Sequence, residues 1–191
     1  MGTIEIIAQI MGIFGMFGMV LSYQQKTQKM LILFQLFGAA FFFLNFLLLG
    51  IAEGTVFVAT VLNFIGILRA IVFGYKEKFH AEKKIWLYGF LASYVAAYVM
   101  VFTVFGTEFN TKNAIIEILP VIAMAASNVA FFKKDARAVR FLGFIASPSW
   151  LVYDIINLSI GGIVTESLSL VSIVTGIIRY DLKKGNKKNE A

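Results

Sequence analysis

The chain has no cysteine, one histidine and two prolines in 191 residues. Without cysteine there is no disulfide, no thiolate nucleophile and no cysteine metal site. The lone His80 lies in a charged connection, where an imidazole is ordinarily solvated, and it cannot build a histidine metal cluster. Charge is scarce too. Asp, Glu, Lys and Arg make up 15% of the residues against 59% hydrophobic ones, and the mean hydropathy is +0.82. That excludes a water-soluble domain, because a chain of this length could not hide so much apolar surface. No nucleophile–base pair, metal spacing or phosphate loop is legible, so neither an enzyme nor a cofactor is expected.

What the chain has instead is seven long apolar stretches, near 4–22, 31–50, 55–74, 86–105, 113–132, 139–159 and 163–181. About 20 helical residues cross the ~30 Å of bilayer hydrocarbon. The stretches are apolar all round and lack the alternation of a transmembrane strand. The first has no basic flank or small-residue cleavage pattern and reads as an anchor that stays. An all-α membrane protein with seven transmembrane helices is expected.

Charge placement gives an orientation. Connections 24–30, 75–84 and 132–140 and the tail from Arg179 hold all 17 Lys and Arg residues except Arg69 and Lys112. Arg69 closes its stretch on the same side, leaving Lys112 alone opposite. Basic loops stay cytoplasmic. The N-terminus is therefore expected outside and the C-terminus inside. The opposite connections carry acids: Glu5, Glu53, Glu108 and Glu166. The net charge of +6 is a topology signal first. Split over short loops, it offers nucleic acid no groove. Lys183, Lys184, Lys187 and Lys188 suit anionic lipid.

The first three stretches resemble the last three. Gly66-Ile67-Leu68-Arg69 closes the third and Gly176-Ile177-Ile178-Arg179 the seventh, an offset of 110 residues from Arg69 to Arg179. The same offset sets Gly38 on Pro148. An odd helix between two triplets makes them parallel, the plan of small solute transporters. Two parallel three-helix bundles joined by a linker helix follow, in a 3+1+3 order. Residues 1–76 form the first repeat, 77–111 the loop and linker helix, 112–182 the second repeat and 183–191 a basic tail.

Further motifs carry a family resemblance. They are Leu21-Ser22-Tyr23-Gln24-Gln25-Lys26-Thr27, Leu47-Leu48-Leu49-Gly50, Leu62-Asn63, Leu119-Pro120, Trp150-Leu151-Val152-Tyr153-Asp154 and Ser159-Ile160-Gly161-Gly162. On these the chain resembles the YgjV-type bacterial inner-membrane protein family over about residues 8–182, and more distantly the SWEET and PQ-loop superfamily of small transporters. The resemblance implies a bacterial inner-membrane protein with the 3+1+3 plan. SWEET-like proteins carry hinge prolines in the first two helices of each triplet. Here Pro120 and Pro148 remain only in the second, while the first has Gly12, Gly15, Gly18 and Gly38. The Pro-Gln pair of PQ-loop proteins is missing, with Tyr23-Gln24-Gln25 near its place.

Polar residues inside spans need partners where water is absent. They are Gln35, Asn45, Asn63, Asn128, Asp154, Asn157, Ser169 and Ser172. Asn45 and Asp154 fall one position apart under the repeat, and Ser172 falls one position from the equivalent of Asn63. The SWEET-like resemblance implies that Asn63, at mid-height of the third helix, helps bind solute. Asp154 is the only acid expected well inside a span. It must face a wet cavity, pair with a donor such as Asn45, or take up a proton. Trp150, at i−4, shares its face and offers an aromatic plate. Gly12, Gly15 and Gly18 line one side of the first helix, where small residues let two helices approach. Arg69 and Arg179 end matching helices, where they can snorkel to the interface or form a gate.

The expectation is a small-solute facilitator or proton-coupled carrier with its site between the repeats. Asn63, Asn45, Asp154, Trp150 and Ser172 are expected to bind solute. Pro120, Pro148, Gly38, Arg69 and Arg179 are expected as gate or hinge. The alternative is a non-transporting accessory or interaction protein that kept the fold. Expected partners are a small molecule, membrane lipids and a second copy of the chain, but not nucleic acid.

Overall fold

The computed structural model describes residues 2–53, 58–104, 108–156 and 160–182. Asn157 and the basic tail 183–191 lie outside the described residues. Helices run over Thr3–Ser22 (α1), Gln28–Glu53 (α2), Val58–Gly74 (α3), Lys76–Phe79 (α4), Lys84–Thr103 (α5), Thr111–Phe132 (α6), Ala136–Ile156 (α7) and Ile160–Gly176 (α8). A π-helical segment, Ile177–Leu182, continues α8. Among the described residues, six helices are long and apolar enough to cross a membrane: α1, α2, α5, α6, α7 and α8 with its extension. The third stretch differs. Its apolar part, Thr60–Gly74, is shorter than the rest. At 1.5 Å per residue the 17 residues of α3 rise about 26 Å, just under the hydrocarbon thickness.

Local chemistry sets several helix starts. The Gly2 N–H donates to Glu5 Oε2 (2.9 Å), closing the first turn of α1. Thr27 Oγ1 accepts from the Met30 N–H (3.3 Å), Asn110 Oδ1 from that of Asn113 (2.9 Å) and Asp135 Oδ1 from that of Arg137 (3.0 Å), the starts of α2, α6 and α7. Glu5 therefore caps a helix. Pro120 and Pro148 sit inside α6 and α7, which run through them.

The outer faces are apolar. Ile13, Phe17, Phe64, Ile85, Val95, Ile115, Val171 and many similar residues are exposed. In water such a surface would aggregate, whereas against lipid it is solvated.

The helices pack in two chains of neighbours. α1 lies on α2 and α2 on α3, while α6 lies on α7 and α7 on α8. The groups meet where α1 touches α8, α3 touches α6 and α2 touches α7. α5 lies outside, against α3 and α6. The α1–α2 contact is close. A Cβ on Gly18 would stand 2.7 Å from the Gly38 nitrogen and 2.8 Å from its Cα. Gly38, expected as a hinge, is thus the seat of this contact.

The main apolar core gathers near the basic connections. Leu31, Ile32, Phe73, Phe90, Tyr94, Phe131, Val139, Ile173 and Ile177 are packed there. Polar ties reinforce that end. Gln24 Nε2 donates to Ser172 O (2.8 Å) and Oγ (2.9 Å), and Ser172 Oγ donates to Val20 O (2.6 Å), tying α8 to the end of α1. Lys76 Nζ donates to Phe132 O (3.2 Å) and Lys133 O (2.8 Å), as Gln28 Nε2 does to Ala130 O, Phe131 O and Lys133 O. Together they cap the free carbonyls at the end of α6. Burial, and then the nearby Lys134, push the Lys76 ammonium down to about 8.

Candidate functional site

A buried polar seam crosses the contact between the two groups of helices. On one side are Ser22 and Tyr23 at the end of α1 and Gln35 on α2. On the other are Ser147 on α7 and Glu166 and Ser169 on α8. Ser147 Oγ donates to Glu166 Oε2 (2.5 Å). Gln35 Nε2 donates to Ser22 Oγ (3.3 Å), which donates to Met19 O (2.6 Å). The buried Tyr23 side chain lies close to Gln35 on one side and Ser147 on the other. Its ring fits beside Gly143, where a Cβ would stand 3.3 Å from Tyr23 Cε1.

Glu166 overturns an expectation. Its place is the second turn of α8, where it is only 9% exposed, not an outer connection. Asp154 is therefore not the only acid inside a span, and Glu117 within α6 is another. The residue spacing explains Glu166. Thr165, Glu166, Ser169, Ser172, Ile173 and Gly176 are all buried, at the three- and four-residue steps of one helix face. Among the described residues Glu166 makes no ion pair. The Ser169 hydroxyl oxygen, one turn further along that face, is buried without a partner.

The structure distributes the expected site residues over several places. Asn45 Nδ2 donates to Ala8 O (2.7 Å) over Gly12, a tie between α1 and α2. Ser172 is spent on the α1–α8 tie described above. Asn63 is half-buried on α3. Trp150 and Asp154 are together on α7, beyond Ser147 on the same helix, and the Trp150 ring meets Tyr153 edge-on at 5.9 Å. Asp154 packs on Gly162, leaving no room for a Cβ there, and its charge is felt at Glu166. Tyr153 is in hydrogen-bond reach of Glu117. Asp154 thus bears on the seam through Glu166, Trp150 packs against the apolar core, and Asn45 and Ser172 secure helix contacts.

Arg69 corrects a second expectation. It does not snorkel but is 7% exposed, with Nη1 donating to Met124 O (3.1 Å) and the Tyr94 hydroxyl (3.3 Å). Its guanidinium lies 4.7 Å from the centre of the Phe131 ring. These contacts fix α3 against α5 and α6. Arg179 is exposed beside Tyr180. The more deeply buried arginine, Arg140, went unnoticed in the sequence. It is 1% exposed and pairs with Asp181 through Nε–Oδ2 (2.8 Å) and Nη2–Oδ1 (2.7 Å), while Nη1 donates to Gln25 O (3.0 Å).

A set of apolar helices with polar contacts turned inward is what a membrane resident requires, and comparison with known families agrees. The profile of a family described as bacterial inner membrane proteins matches residues 6–184. The chain belongs to this Imp-YgjV family. It is accordingly a multi-pass protein of the bacterial inner membrane. No curated protein and no solved structure matches the chain significantly. Membership fixes the solvent of this Imp-YgjV protein, and the chemistry must be read from the seam.

Proposed function

We propose that the chain is a small-solute carrier whose site lies in the polar seam between two parallel three-helix repeats. The observation that carries this is the seam itself. A buried acid, an amide, a phenol and three serines meet between helix groups in a bilayer, where a purely structural contact would cost less if apolar. In this reading α1–α3 and α6–α8 are the repeats, α5 is the linker and α3 is a seventh, short span. The pattern of neighbours supports it. Exchanging the two triplets turns the α1–α8 contact into the α6–α3 contact and leaves α2–α7 unchanged, as a twofold axis along the membrane normal requires. The basic connections lie in the cytoplasm and the N-terminus outside. The packed core and the ties of Gln24, Arg140 and Lys76 then close the cytoplasmic end.

A second reading, an accessory protein that kept the fold without transport, draws support from the first triplet. Its helices lack proline, and the Gly18–Gly38 contact is close. A thermal-shift screen of the purified protein against sugars, nucleosides, vitamins and amino acids separates the two. A solute that binds only the folded form raises its melting temperature. The carrier reading expects such a solute, with the shift lost in Ser147→Ala. No shift from any solute class favours the accessory reading.

A further inference from the structure

We propose that Glu166 is an exchangeable proton site, the group through which this chain couples opening of the seam to proton uptake and release. The inference rests on the carrier reading for its use, while the site itself stands on geometry. Glu166 is a buried carboxyl with one hydroxyl on it. Ser147 donates to it at 2.5 Å. Tyr23 reaches it from the end of α1 by way of Ser147. No ion pair compensates it among the described residues. A carboxylate so placed loses its hydration with one neutral donor in exchange. Binding a proton removes the charge and makes the carboxyl a donor. The Ser169 hydroxyl, i+3 on the same face, is the buried and unpartnered acceptor available to it.

The groups around Glu166 set the coupling. α7 brings Asp154, whose like charge repels an ionised Glu166. α1 brings Tyr23, and α2 brings Gln35, which does not titrate. α3 brings Arg69, whose charge bears on Tyr23. In the closed seam Glu166 is out of water, so its proton exchanges only when the triplets part. Opening and protonation are thereby linked.

Infrared difference titration of the protein in lipid nanodiscs, from mildly acidic to mildly alkaline pH, tests this without any solute. The expected result is a protonated-carboxyl band that titrates, is lost in Glu166→Gln and is retained in Asp154→Asn. Ser147→Ala should move its frequency, because the hydrogen bond to the carboxyl is gone. That variant keeps the test valid should Glu166→Gln fail to fold. The proposal is overturned by the absence of a band, by a band that never titrates, or by one lost in Asp154→Asn and kept in Glu166→Gln. Removal of the band by sodium at constant pH would assign the site to that ion and overturn it too. A titrating Glu166 without solute flux would defeat only the carrier reading, and flux without titration only the proton site.

Discussion

Arg140 and Asp181 offer the sharpest energetic test of the closed end. Both side chains are almost wholly buried, at 2% and 7% exposed, and they meet in a two-pronged pair of 2.7 and 2.8 Å. Asp181→Ala leaves a buried guanidinium whose remaining polar or ring partners, among the described residues, are the Gln25 carbonyl and the Tyr180 ring. Removing one partner of a buried pair costs about 3–5 kcal/mol, because an uncompensated charge remains. Replacing both by apolar residues of similar volume is often neutral. The double change Arg140→Met with Asp181→Leu should therefore cost only about 1 kcal/mol, the hydrogen bond to Gln25 O. The assay is unfolding in mixed micelles with a graded denaturing detergent, comparing wild type, both single variants and the double. The double variant should be more stable than Asp181→Ala by about 2–4 kcal/mol. An Asp181→Ala cost below about 1 kcal/mol, or a double variant no better than the single, would refute the reasoning.

Other expectations follow from single contacts. Gly18→Ala must push α1 off the Gly38 backbone and should cost about 1–3 kcal/mol, while Gly89→Ala, with nothing within 4 Å of its Cβ, should cost nothing measurable in the same unfolding assay. Lys76 is held down to about 8 in the folded protein, below its unfolded value of 10.5. The unfolded chain therefore binds the extra proton between those values, and stability should rise with pH across that window. Lys76→Met should flatten this rise in pH-dependent melting, and an unchanged slope would count against the buried ammonium. A reporter fused after Ala191 should be active only when cytoplasmic, and activity on the outer side would reverse the orientation.

Much of the fold was legible because hydrophobic length is a one-dimensional signal. The spans near 4–22, 113–132 and 139–159 match α1, α6 and α7 within a few residues. The triplet order came from sparse matches such as Arg69 on Arg179 and Gly38 on Pro148, and yet the two arginines have unlike surroundings, one buried and one exposed. Burial depends on what the neighbouring helix presents, here the Met124 carbonyl and Phe131, and no single-sequence pattern carries that. Glu166 was placed among the outer acids because the 110-residue offset brings Gly161–Glu166 close to the acid-bearing connection Gly50–Gly54. The steps from Glu166 to Ser169, Ile173 and Gly176 were the available sign that it continues an inward face. The Arg140–Asp181 pair spans 41 residues and two elements, so the sequence showed only two charges beside basic loops.

If the chain is the carrier proposed above, alternating access requires the tie between Gln24 and Ser172 to break during each cycle. The chain has no cysteine, so the double variant Gln24→Cys with Ser172→Cys carries only two thiols, at positions whose side chains now meet at 2.9 Å. The deciding measurement is uptake into proteoliposomes of the solute identified by thermal shift, before and after bridging this pair with a short, reducible bis-thiosulfonate crosslinker and after reduction. A carrier should transport when reduced, stop when crosslinked and recover on reduction. Equal uptake in the crosslinked and reduced states, or none in either, would contradict transport through this seam.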